Sequence, residues 1–343
     1  MRPLVRTAMN KHLKYQRGLS LLESMISLSI GVFLMGGVMM TFSTMRGATS
    51  ETLGIGEVQE NGRLAISILR RDIEHSGFWG QYQSQLSDEL LAVPASPGTD
   101  CSGGSNSTND GSFPIASDWV FWSLWATTVT SANVLGCITD ANTTSDVVQI
   151  KRAISSATAT GDFRSNRFYL ISSSSSAAIV GGNADSSTYP VIDNSTNWMY
   201  QHLVYYIADK DFYGSTVPTL MRRRLIVSTA GLAQMNSEPV IDGIESIRLM
   251  FGVDVDLDGR VDSYIGAENV AREHWNQGSA DTSYILSVRI YVLARALEKD
   301  SRYTNENTYT LGDREVSGNS DHYRRMLFTT TVSIINAVNG EWQ

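Results

Sequence analysis

Hydrophobic and polar positions divide the chain into two regimes. From Ser24 to Met45 no residue is charged and Leu, Ile, Val, Met and Phe dominate. A helix needs about 20 such residues to cross a bilayer. The following stretch, "GIGEVQENGRLAISILRRDIEHSG", keeps a helical period but becomes amphipathic. Ile55, Val58, Ala65, Leu69 and Ile73 recur on one face, while Glu57, Glu60, Arg63 and Arg70 fall mostly elsewhere. Gly77 supplies a C-terminal stop. The pattern predicts one helix over 19–76, roughly 85 Å long at 1.5 Å per residue. Its first half suits hydrocarbon and its second half suits a globular head. Gly31, Gly36 and Gly37 each weaken its middle by about 1 kcal/mol relative to Ala, or else allow close helix packing.

Beyond Gly77 the period changes to two. Segments 146–154, 167–172, 202–208, 219–228, 244–254, 284–296 and 324–336 are predicted strands. In 284–296, Leu286, Val288, Ile290 and Val292 are expected to face one way and Ser287, Arg289 and Tyr291 the other. Polar loops are expected at 98–112, 172–176, 181–190 and 305–321. The expected fold is α+β: a long N-terminal helix packed on an enlarged, mainly antiparallel β head. The boundaries are 1–18 for a leader, 19–77 for the helix and 78–343 for the head.

Charge at the N-terminus changes the picture. Arg2, Arg6, Lys11, Lys14 and Arg17 precede the apolar run with no acid among them, the pattern of a signal or signal anchor whose basic end stays cytoplasmic. An ordinary secretory signal has an apolar core of ~7–15 residues and is cut after it. Here the small residue, Gly18, stands before the core, and Glu23 lies in the first turns of the apolar helix. A carboxylate there costs a few kcal/mol. It either snorkels to the headgroups or has a specific partner.

Gly18, Leu19 and Glu23 together resemble the class III signal of type IV pilins and type II secretion pseudopilins, although major pilins usually carry Phe at the Leu19 position. The resemblance implies that a prepilin peptidase cuts after Gly18 and that Leu19 becomes an N-methylated terminus. It also implies that Glu23 attracts the terminal amine of a neighbouring subunit. "QENGRLAISILRRDIEHSGFWG", "LVYYIA", "LMRRRL", "IESIRLMFGVDVDLDG", "SVRIYVLARA" and "YRRMLFTTTVSIINAV" further resemble minor pilins of the PilW family. That implies a low-copy subunit at or near a pilus tip, which helps prime assembly and so supports twitching motility, adhesion or DNA uptake. Its implied partners are other minor pilins, the major pilin, the prepilin peptidase and the inner-membrane assembly platform. It would be a single-pass inner-membrane protein with a periplasmic head before it joins the pilus at the cell surface. A type II secretion minor pseudopilin resembling the J subunit and a tip adhesin are the alternative readings.

Composition agrees with export. The 27 basic and 35 acidic residues become 22 and 35 without the leader, a net charge of −13. An acidic chain argues against a nucleic-acid groove. Arg222, Arg223 and Arg224 form the one tight basic cluster in the sequence, either a local patch or alternating arginines on an exposed strand face. Cys101 and Cys137 read as one disulfide outside the cytoplasm, or as two buried thiols. A bridge would add roughly 3–4 kcal/mol in the chain-entropy model. The five histidines are scattered, and no HExxH, GxSxG or Walker loop occurs, so an enzyme is not expected and no cofactor is required.

"DVDLDGRVD" offers one further site. Asp254, Asp256, Asp258 and Asp262 occupy positions 1, 3, 5 and 9 of an EF-hand-like loop, with the Arg260 carbonyl at 7 and Gly259 permitting the turn. Position 12 is Ile265 rather than Glu, and strands flank the loop. Either calcium binds here, with Glu268 or water completing its shell, or Asp258-Gly259 simply turns a hairpin.

Overall fold

A computed structural model describes residues 20–87, 89–103, 111–114, 121–212, 214–275, 284–334 and 336. It comprises two units, Met1–Leu53 and Gly54–Gln343. One helix, α1, runs over Leu21–Glu74. Within the first unit its large apolar side chains, among them Leu22, Ile26, Phe33, Val38 and Met45, are exposed. Five of its hydroxyls are tied to the helix backbone. Ser29, Thr41, Thr44, Thr49 and Thr52 each donate to the carbonyl four residues earlier, at 2.8–3.0 Å, so they present methyl and methylene rather than free donors. This segment is long and apolar enough to cross a membrane.

In the second unit, Val58, Ala65, Leu69 and Ile73 of α1 are buried in the main core, while Ile55 is only half-buried. Gly62 lies between them, and a Cβ there would run into the ring of Phe328. The helix closes where Gly77 adopts φ +72°, a left-handed conformation that glycine takes without strain. Just before it, buried Asp72 accepts 2.6 Å hydrogen bonds from Arg152 and from the Tyr205 hydroxyl, tying the helix end to the sheet.

The strands form two main antiparallel sheets among the described residues. The first contains β1 (Leu124–Thr128), β2 (Asp146–Ala157), β3 (Phe168–Ser172), β4 (Ala177–Gly181), β5 (Thr196–Phe212), β6 (Ser215–Val227) and β7 (Ala233–Asp242). Its order is β1-β2-β5-β3-β4, with β6 also pairing the long β5 and β7 outside β6. The second contains β8 (Ile244–Asp254), β9 (Ser263–Gly266), β10 (Tyr284–Arg295) and β13 (Arg325–Ser333), ordered β13-β10-β8-β9. Leu203, Tyr205 and Ile207 of the first sheet share a core with Leu249, Val288 and Ile290 of the second and with the helix. A second core on the other face of the first sheet gathers Trp79, Phe113, Cys101, Cys137, Val204 and Tyr206.

The α+β architecture is as expected, with two corrections. Residues 305–321 are not a plain loop: β11 (Thr308–Leu311) and β12 (Arg314–Ser317) pair as a hairpin within them. Leu286 does not lead the buried face of β10. The pairing with β8 shifts register between Ile285 and Ser287, and this bulge reverses the alternation. Ile285 is therefore buried together with Val288, Ile290 and Val292, while Leu286 is only half-buried.

Candidate functional site

Glu23 lies in the first turn of α1, exposed, where its carboxylate complements the positive end of the helix dipole. Gly18 and Leu19 lie outside the described residues. The N-terminal unit thus presents an apolar helical surface with one acid near its start.

The cysteines of the head are paired. Cys101 and Cys137 form a disulfide with Cα atoms 4.9 Å apart, and both are buried. A chain of hydrogen bonds seats the loop they close. Gln149 Nε2 donates to the Cys101 carbonyl at 2.6 Å and contacts His202 Nε2 at 2.7 Å. His202 Nδ1 meets Ser112 Oγ at 2.9 Å, and Ser112 Oγ donates to Asp100 Oδ1 at 2.6 Å. With Gln149 as donor, His202 must accept at Nε2 and donate from Nδ1, which makes it neutral. Burial pushes the His202 pKa well below its usual value, and Lys151 pushes it in the same direction. Serine, histidine and aspartate meet here, but Ser112 hands its proton to Asp100 rather than to His202, and all of Ser112 is buried. The geometry anchors a loop and exposes no nucleophile.

Arg248 forms a second polar centre and is 1% exposed. Its Nη1 donates to Glu268 at 2.7 Å, Thr128 at 2.8 Å and Asp146 at 3.2 Å. Its Nε and Nη2 donate to the two oxygens of Asp313 at 2.8 and 2.7 Å. One guanidinium thereby joins β1, β2, β8, the turn after β9 and the β11–β12 turn. Hydrogen bonds from Arg248 hold Glu268 down to about 2 and also lower Asp313. Nothing in the sequence separates this arginine from its neighbours, because its partners are up to 120 residues away.

The Asp loop is gathered as its spacing suggests, with one exception. Asp254, Asp256 and Asp262 each bring a carboxylate oxygen within 4.8 Å of the others. Asp254 is buried and accepts from the backbone N–H groups of Leu257 at 2.7 Å and Gly259 at 2.8 Å. Asp262 accepts from Val255 N at 2.7 Å. Asp258 stands outside the trio and accepts from its neighbour Arg260 N at 2.8 Å. The Asp256 carboxyl is raised. The Asp258 backbone N–H pulls it down, but desolvation and the charges of Asp258, Asp262 and Asp254 outweigh that bond. Glu268 is not available to this loop, because Arg248 and Thr128 hold its carboxylate.

Arg222 and Arg224 lie on one face of β6 and share the carboxylate of Glu238 at 2.6 and 3.3 Å, while Arg223 donates to the Met235 carbonyl at 3.4 Å. The alternating-strand expectation holds for these residues, but none of the three is fully exposed.

Residues 204–336 match the family model described as PilW, Type IV Pilus-assembly protein W. The matched segment runs from within β5 to just past β13 and carries the Asp loop and Arg248 with its partners Glu268 and Asp313, while Thr128 and Asp146 lie outside it. No curated protein and no solved structure matches the chain.

Proposed function

We propose that this chain is a minor subunit of a type IV pilus, anchored by the N-terminal half of α1 and assembled through it. One combination supports this reading. A head segment that matches a pilus-assembly family shares a chain with an exposed apolar helix whose first turn contains Glu23. Before assembly the helix would be the single membrane anchor and the head would be periplasmic. Afterwards the subunit would sit at or near the pilus tip, in contact with other minor pilins and the major pilin. Prepilin peptidase would cut after Gly18 and methylate Leu19. The test is mass analysis of the N-terminus of the membrane-extracted protein. It should begin at Leu19 with one added methyl group. Recovery of residues 1–18 on protein assembled in pili would overturn the proposal.

We further propose that the loop from Asp254 to Asp262 takes calcium. Each carboxylate oxygen that accepts one N–H keeps a second lone pair for a cation. The mutual repulsion that raises Asp256 is the repulsion a divalent ion would relieve. Calcium should raise the melting temperature of the purified chain, and Asp256→Ala combined with Asp262→Ala should abolish the rise. A wild-type melt that is the same in calcium and in EDTA would leave the loop as a turn only.

A further inference from the structure

Several arginines of the head are matched to acids, and one corner gathers four arginines around a single carboxylate. Arg248 is met by three carboxylates, Arg325 by Glu245 and Asp321, and Arg152 by Asp72. That corner lies where the turn before β3 meets the end of β6. Arg167 N donates to the Arg164 carbonyl at 3.0 Å, closing a turn, and Val227 N donates to the Asn166 carbonyl at 3.2 Å, fastening that turn to β6. Arg222 and Arg224 lie opposite Tyr205 and Leu203 of β5, and Arg222 lies opposite Glu238 of β7. Arg164 and Arg167 thus join Arg222 and Arg224 in one basic corner.

Four guanidiniums here share a single carboxylate. Glu238 serves Arg222 and Arg224, whereas Arg164 and Arg167 make no side-chain ion pair among the described residues. Arg167 is half-buried, and its Nη1, like Nε of Arg224, is buried without a hydrogen-bond partner. Burial, Arg224 and Arg164 all hold the Arg167 pKa below its usual value, against the pull of Glu238. In a chain with a net charge of −8 this is a local excess of three positive charges. A partly desolvated guanidinium whose attracting carboxylate is already paired with two other arginines is poorly compensated, and a carboxylate arriving from outside reduces that cost.

We infer that Arg164, Arg167 and Arg224 form a docking corner for a carboxylate-bearing segment of a protein partner. The occupant's chemistry follows from Glu238, which already seats a carboxylate between two of these arginines. A second carboxylate would do the same for Arg164 and Arg167. A nucleic acid fits less well, because it needs basic contacts spread along successive phosphates and the cluster is compact. The inference stands apart from the filament reading, because peptide binding is measured without a pilus.

The test uses the full chain in non-ionic detergent and a fluorescein-labelled hexaglutamate peptide, followed by fluorescence anisotropy. Saturable binding is expected. Arg164→Glu with Arg167→Glu should weaken it by about tenfold or more, while Arg164→Lys with Arg167→Lys retains part of it. Lys299→Glu with Arg302→Glu imposes the same change in net charge elsewhere and should leave binding unchanged. On the unsubstituted protein, the peptide should protect Arg164 and Arg167 from phenylglyoxal, read by mass spectrometry. This arm is independent of how the variants fold. Absence of saturable binding, equal weakening by the remote pair, or lack of protection would each overturn the inference. So would stronger competition by a duplex oligonucleotide than by unlabelled hexaglutamate at equal charge.

Discussion

Arg248 shows what one side chain can hold together. Its guanidinium bonds outward to Asp146, Glu268 and Asp313, which belong to three separate parts of the head. Removing it takes the closest cation from the fully buried Asp146 carboxylate and leaves Arg314 at 3.8 Å, and breaking a buried pair from one side costs about 3–5 kcal/mol. The titration of its partners gives the pH dependence a sign. Glu268 falls from 4.5 to about 2 on folding. Its stabilising contribution is therefore complete above pH 4.5 and is lost as pH drops through about 2. Asp313, lowered by the same arginine, acts in the same direction. Asp146 acts in the opposite direction: burial raises its carboxyl against the pull of Arg248, so its contribution fades as pH rises and softens the acid loss. Thermal melts should fall steadily between pH 4.5 and 2. Glu268→Gln should lower the melting temperature at pH 7 and flatten that acid slope. A slope unchanged by Glu268→Gln would show that this carboxylate does not govern the acid transition.

At the scale of elements, the contact between α1 and β13 turns on Gly62. In an isolated helix, Ala in its place would gain about 1 kcal/mol. In this fold the added Cβ would meet the Phe328 ring, and overpacking costs about 1–3 kcal/mol. Gly62→Ala should therefore destabilise the wild type yet be neutral or stabilising in a Phe328→Ala background, and a double-mutant cycle of denaturant melts measures that reversal. The contact also marks how far the sequence could be read. The period of Val58, Ala65, Leu69 and Ile73 identified the buried stripe of the helix, and β8 has the bounds its alternation predicts. Strands such as β7, with its broken burial pattern, and β9, only four residues long, carry too little periodic signal to be seen. The hairpin within 305–321 was hidden by polar composition, since its strands bury little. The Leu286 bulge has no local signature, because it is defined by register with β8. In the site, the gathering of Asp254, Asp256 and Asp262 was legible from spacing along the chain, and the cysteine pair from there being only two cysteines. The Arg248 centre and the Arg164–Arg167 corner were not, because only the sheet topology brings their members together.

For the molecule as a whole, the two units suit different solvents. The N-terminal segment of α1 exposes its apolar side chains and ties five of its hydroxyls to its own backbone, whereas the head buries two cores and a disulfide. Against that division, Glu23 is out of place: it is a charge at the start of a segment otherwise suited to hydrocarbon. If it merely snorkels, replacing it removes a cost of a few kcal/mol and nothing else. If it pairs with the amine of a neighbouring subunit, the same replacement helps insertion and harms assembly. Glu23→Ala should therefore reach the membrane at wild-type levels or above, measured by fractionation, and be depleted from sheared pili, measured by immunoblot against the major subunit. Glu23→Asp keeps the charge on a shorter arm and should fall between the two. Equal amounts of Glu23→Ala and wild-type protein in the pilus fraction would assign Glu23 to the headgroup region, with no part in assembly.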